Sequence, residues 1–86
     1  MATQAASRPP VKWADGLAAI YGEDRLKLVR AAYLVCGDAD ASEDIVQDAF
    51  ARAAEHWDAV ENGRAYVYTT VLNGARSFVR RARRRH

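Results

Sequence analysis

The chain has 86 residues, half of them apolar, with 13 lysines and arginines against 11 acids, a formal net charge of +2 and one cysteine. That length holds one hydrophobic core and excludes a second. No apolar run approaches the roughly 20 residues of a membrane span, the first residues lack the apolar centre of a signal peptide, and the lone cysteine excludes an internal disulfide and fits a reducing cytoplasm.

Residues 1–12 read as a flexible leader containing Pro9 and Pro10. A first helix is expected over 14–21, loosened at Gly22. A second is expected over 24–36, with Gly37 as its stop. Leu26, Val29, Tyr33 and Cys36 form one apolar stripe on it, and Leu28, Ala32 and Val35 a neighbouring one. Cys36 reads as a small buried hydrophobe. A third helix is expected over 40–57, capped by Asp38 or Asp40, with Glu43 and Asp44 complementing its dipole. Ile45, Val46, Ala49, Phe50, Ala53 and Trp57 recur at helical spacing and give it a core face. Residues 58–62 read as a loop. Asn62 can then cap a fourth helix over 63–81, whose inner face is Val67, Val71, Leu72, Ala75, Phe78 and Val79. No strand pattern or hairpin signal occurs. The expected fold is all-α, a compact bundle of about four helices over residues 13–82, followed by a basic tail at 83–86. Its expected core is Leu26, Val29, Tyr33, Ile45, Ala49, Phe50, Ala53, Trp57, Leu72 and Phe78.

Charge is divided along this frame. All eleven acids lie between Asp15 and Glu61, opposed only by Arg25, Lys27, Arg30 and Arg52. Residues 62–86 hold seven arginines and no acid. A −7 block therefore precedes a +7 block, and the leader adds +2 through Arg8 and Lys12. Such polarisation suits two partners of opposite sign: a basic surface for the middle and a polyanion for the end.

Catalysis finds little support. There is no serine–histidine–acid set, no glycine-rich phosphate loop and no metal-ligand spacing. His56 and His86 lack neighbouring ligands, so no metal, cofactor or catalytic residue is expected. The arginine run carries more information. Arg76, Arg80 and Arg83 follow i, i+4, i+7 spacing and share a helix face. Tyr66, Tyr68, Thr69, Thr70, Asn73 and Ser77 precede or interleave them. Arginines for phosphate, tyrosines for stacking and small polar groups for base edges suit single-stranded or partly melted nucleic acid. Asp44 and Asp48, one turn apart with Gln47 beside them, repel each other by about 0.2–0.5 kcal/mol. A face that meets a basic partner tolerates that, as does a merely solvated one.

Three segments in order carry a family resemblance. They are residues 28–38, LVRAAYLVCGD; residues 41–50, ASEDIVQDAF, with Trp57; and residues 62–68, NGRAYVY, with Val71, Leu72, Asn73 and the arginine run. Together they resemble the second conserved region of bacterial sigma factors, most closely the extracytoplasmic-function type of actinobacteria. The resemblance spans roughly residues 14–85 and implies a compact helical domain that is not an enzyme and works in the cytoplasm. It implies docking of Asp44, Gln47 and Asp48 on the coiled coil of the β′ subunit of RNA polymerase core. It also implies capture of the unwound non-template strand of the minus-ten promoter element by the loop and last helix. That role falls on Asn62, Gly63, Arg64 and Asn73, and also on Tyr66, Thr69, Arg76, Ser77 and Arg80. An anti-sigma factor is a further implied partner, and no membrane is. Gly63 stands where the family often has a less flexible residue, which implies a less pre-organised loop. The chain also lacks the linker and helix-turn-helix domain of complete members, so it is expected to be an isolated domain. Two other readings fit the residues alone: a small helical adaptor with a basic tail, and a duplex-reading helix-turn-helix regulator.

Overall fold

The computed structural model describes the backbone of residues 11–85 and the side chains of 16–84. It contains three α-helices: α1, Val11–Cys36; α2, Ala39–Glu55; and α3, Gly63–Arg85. A single 3₁₀ turn, Trp57–Ala59, lies within the connection from α2 to α3. Each helix packs against the other two, and no strand occurs among the described residues. The all-α class holds and the count of about four helices does not. The first ten residues of the expected leader, and His86, lie outside the described residues.

The extra helix arose from the break expected at Gly22. Instead α1 runs straight through it. A glycine costs a helix interior only about 1 kcal/mol relative to alanine. Gly22 is exposed and a side chain there would meet nothing. Meanwhile Leu17, Ile20, Asp24, Leu28 and Ala32, spaced three or four apart, all bury on one side of the helix. Burial on both sides of Gly22 thus outweighs its local preference.

The helix ends follow sequence chemistry. Gly37 adopts the left-handed φ of 68° that favours glycine, and its N–H donates to the Tyr33 carbonyl at 2.7 Å to close α1. Asp38, with extended backbone, accepts the Ala41 N–H at 2.9 Å and is the N-cap of α2. Asp40 sits in the first turn. Ser42 is fully buried, and its hydroxyl donates to the Asp38 carbonyl at 2.7 Å. At α3, Asn62 Oδ1 accepts the Ala65 N–H at 3.0 Å. α2 stops at Glu55, two residues short of expectation, whereas α3 continues four residues past residue 81.

The core comprises Leu17, Ile20, Leu28 and Ala32 from α1, Val46, Ala49, Phe50 and Ala53 from α2, and Val67, Val71 and Ala75 from α3. Phe50 also makes an edge contact with Tyr21, ring centroids 4.9 Å apart. The expected faces of α2 and α3 are largely the buried ones. On α1 the other stripe is buried except at its end: Leu26 is 62% exposed and Tyr33 49% exposed, while Leu28 and Ala32 are fully buried and Val35 is 40% exposed. Both stripes are apolar, and the choice depends on where α2 and α3 lie. Val29, Ile45 and Trp57 pack only partly against the core, and Leu72 and Phe78 are half-buried.

Trp57 fixes the α2–α3 connection. Its ring lies against Gly16 of α1 and Gly63 at the start of α3. A Cβ on Gly16 would come within 2.9 Å of the ring, and one on Gly63 would collide with it. Gly63 is therefore a close-approach glycine beneath an aromatic ring, a reason its sequence context did not reveal.

Candidate polymerase and nucleic-acid interfaces

Asp44, Gln47 and Asp48 are all exposed on α2. Their environments differ. Gln47 leans toward α1, its Nε2 3.5 Å from the Tyr21 hydroxyl. Asp44 and Asp48 line the groove between α2 and α3. Asp48 accepts from Arg52 Nε at 2.7 Å, one turn further along the same helix. The hydrogen bond to Asp48 and its charge raise the Arg52 pKa above its ordinary value. One of the two acids, Asp48, is thus already paired within the chain through an exposed contact, and Asp44 is not part of that pair. Towards the α2 N-terminus, Glu43 accepts from Arg25 at 3.0 Å. Beside Glu43, Tyr33 and Leu34 of α1 line a shallow concavity with Val29, Ala39 and Asp40, and Leu26 and Val35 are exposed elsewhere on the helix.

The second candidate surface divides by position on α3. Tyr66, Asn73 and Ser77 line the α2–α3 groove with Thr70 and Arg81, opposite Asp44 and Asp48. Tyr66 also lines a second concavity with His56, Ala59, Val60, Glu61 and Asn62. Its half-buried ring therefore separates two hollows. Thr69, Arg76, Arg80 and Arg83 are exposed, and Ser77 accepts from Arg80 Nη2 at 3.0 Å. No acid is present anywhere on α3. Its arginine side is consequently a surface of one sign, suited to phosphate.

Arg64 differs from the other arginines. Its Nη1 donates to Asp24 and its Nη2 to Glu23 at 3.0 Å, both acids on α1. Asp24 also accepts from the Tyr68 hydroxyl at 3.1 Å. Burial pushes the Asp24 carboxyl up, but hydrogen bonds from Arg64 and Tyr68, with the charges of Arg64 and Lys27, outweigh it and hold the group below its ordinary 3.8. The Tyr68 hydroxyl is raised by burial and by its bond to Asp24. The sequence reading grouped Arg64 with the DNA-facing residues and missed its α1 partners. The available signal was an acid in register with the apolar stripe Leu17, Ile20, Leu28 and Ala32.

A family model for sigma-70 region 2 matches residues 20–85 of the chain. The chain belongs to the sigma-70 region 2 family. That match extends over more than half of the 86 residues and includes α1 from Ile20 onward, all of α2 and α3, and every residue of the two surfaces. No curated protein and no solved structure matches it. Sigma-70 region 2 is a domain of transcription initiation factors, not of enzymes, and its role is to bind RNA polymerase and recognise promoters. No helix among the described residues is long and apolar enough to cross a membrane.

Proposed function

We propose that this domain docks on RNA polymerase core through Asp44, Gln47 and Asp48 against the β′ coiled coil. The 56–62 turn and α3 then hold the melted non-template strand of the minus-ten element. The observation that carries this reading is the separation of sign within one small sigma-factor domain. An exposed acidic ridge runs along α2, and an acid-free arginine side runs along α3. The acidic ridge suits a basic helical partner, and the arginine side suits a nucleic-acid backbone.

On this reading Asn62 and Tyr66 border the hollow that receives an unstacked base. Asn73 offers both donor and acceptor to a base edge. Thr69, Arg76, Ser77 and Arg80 follow the backbone. No bond is broken. Unstacking a base costs a few kcal/mol, and stacking returns about 1–3 kcal/mol per base. Arginine–phosphate contacts add a salt-dependent term. An opened bubble can therefore be trapped without ATP hydrolysis. The resemblance to extracytoplasmic-function factors supports work in the cytoplasm and control by an anti-sigma factor. Tyr33 and Leu34, with Val29 beside them, offer apolar surface to such a protein.

The test is capture of polymerase core by the tagged chain, followed by binding of single-stranded and duplex minus-ten oligonucleotides to the complex. Core capture with preference for the single strand is expected. Preference for duplex would favour a helix-turn-helix regulator, and failure to capture core would favour an adaptor.

A further inference from the structure

Asp24 is the one buried acid among the described residues, 3% exposed in a stripe of apolar side chains. A carboxylate in such a place is unfavourable unless it is paired and hydrogen-bonded. Its donors, Arg64 and Tyr68, both come from the first two turns of α3. Arg64 follows the Asn62 cap by two residues and precedes Tyr66 by two. With Glu23 on its second terminal nitrogen, the guanidinium is held at two points, which fixes the orientation of its planar fork. Apart from the Trp57 ring against Gly63, few other ties hold this end of α3. Asn62, Arg64 and Ala65 are exposed, Tyr66 is half-buried, and Val67 is the first fully buried residue of the helix.

We propose that Asp24 is a positioning residue for the strand-binding end of the domain. It holds Arg64 and Tyr68 so that the first turn of α3 keeps Asn62 and Tyr66 set around their hollow. Arg64 is a strut between α1 and α3 and not a phosphate ligand. This inference rests on the reading of that end as the nucleic-acid surface.

The experiment uses the full chain as wild type, Asp24→Asn, Arg64→Gln and the double variant. Affinity for polymerase core is measured first. Binding of the core complex to a single-stranded minus-ten oligonucleotide then follows at several salt concentrations. Asp24→Asn is expected to weaken strand binding roughly fivefold or more, with core affinity within about twofold, because the docking ridge lies elsewhere. Arg64→Gln is expected to weaken strand binding without changing the salt slope. The double variant should be no worse than the weaker single one, since both changes break one contact. The proposal is overturned by unchanged strand binding in Asp24→Asn, by equal loss of strand and core affinity, by additive losses, or by a slope reduced by about 0.7 in Arg64→Gln, the signature of a lost phosphate contact. Should wild type capture core yet ignore the strand, the functional reading fails instead. The strut is then judged by nuclear magnetic resonance. A slowly exchanging Arg64 guanidinium signal, present in wild type and absent in Asp24→Asn, upholds it, and any other pattern overturns it.

Discussion

Two aspartate–arginine pairs in this domain share chemistry and differ in almost everything else. Asp48 and Arg52 lie one turn apart on α2, with both side chains about 60% exposed. Asp24 and Arg64 lie forty residues apart and join two helices, and the Asp24 side chain is only 5% exposed. The first pair is screened by water and salt and can exchange partners readily. The second has excluded water from its acid, so breaking it leaves an uncompensated buried group. Burial therefore decides whether an acid–arginine contact is a fixed part of the fold or an exchangeable part of a surface.

The largest expected effect sets these pairs directly against each other. Asp24→Ala should lower the melting temperature sharply, whereas Asp48→Ala should stay within about 4 °C of wild type, as exposed substitutions usually do. Calorimetry of the two variants checks this, and similar melts would remove the distinction. The comparison also has a pH dependence. Because the folded Asp24 carboxyl titrates below its ordinary 3.8, its contribution is fully present above that pH. It is lost as pH falls through the lowered value. Denaturant midpoints measured from pH 6 to pH 3 should decline less steeply in Asp24→Asn than in wild type.

A second break point lies beside the buried pair. Gly63→Ala places a Cβ against the Trp57 ring and should cost about 1–3 kcal/mol of stability, the range for overpacking. A urea titration measures the loss. A stability equal to wild type would mean that the ring moves freely and that the turn is not braced by it.

The exposed side of the comparison is sharpened by binding. Asp44→Ala with Gln47→Ala should weaken core binding at least about tenfold, the low end for truncated charged contacts, with an unchanged melt. On α3, Arg80→Ala with Arg83→Ala should weaken all strand sequences alike and reduce the salt slope by roughly 1–2 units. Asn73→Ala should alter discrimination at one base position with the slope intact. The smallest expected effect is Arg52→Ala. Freeing Asp48 should tighten core binding by about twofold, and weaker binding would show that Arg52 itself meets the partner.

Most of the helical frame was legible. The Asn62 cap, the Gly37 stop and the apolar faces of α2 and α3 depend on residues close in sequence, and local chemistry identified them, narrowing the α2 cap to Asp38 or Asp40. The two failures on α1 have one origin. Gly22 looked like a break because its cost is local while the burial that overrides it is not, and Leu26 with Tyr33 looked like core because a helix with two apolar stripes does not declare which one its neighbours cover. The candidate surfaces were legible to the same depth. The exposure of the α2 ridge and of Arg76, Arg80 and Arg83 followed from their spacing. The partners of Arg64 and the role of Gly63 did not, because Glu23, Asp24 and Trp57 approach them only when three helices pack.

The sequence by itself determined the helical class, the Gly37 stop and the Asn62 cap, the polarity of the chain and the residue pattern of a sigma-70 region 2. These rest on local propensity, capping and the order of charges, which need no neighbour in space. Only the tertiary structure decided which side of α1 is buried, that Gly22 lies inside a continuous helix, that Trp57 covers Gly63, and that one of the seven C-terminal arginines turns inward to a buried aspartate. Those outcomes depend on which surfaces lose water together, and that is settled only when the helices meet.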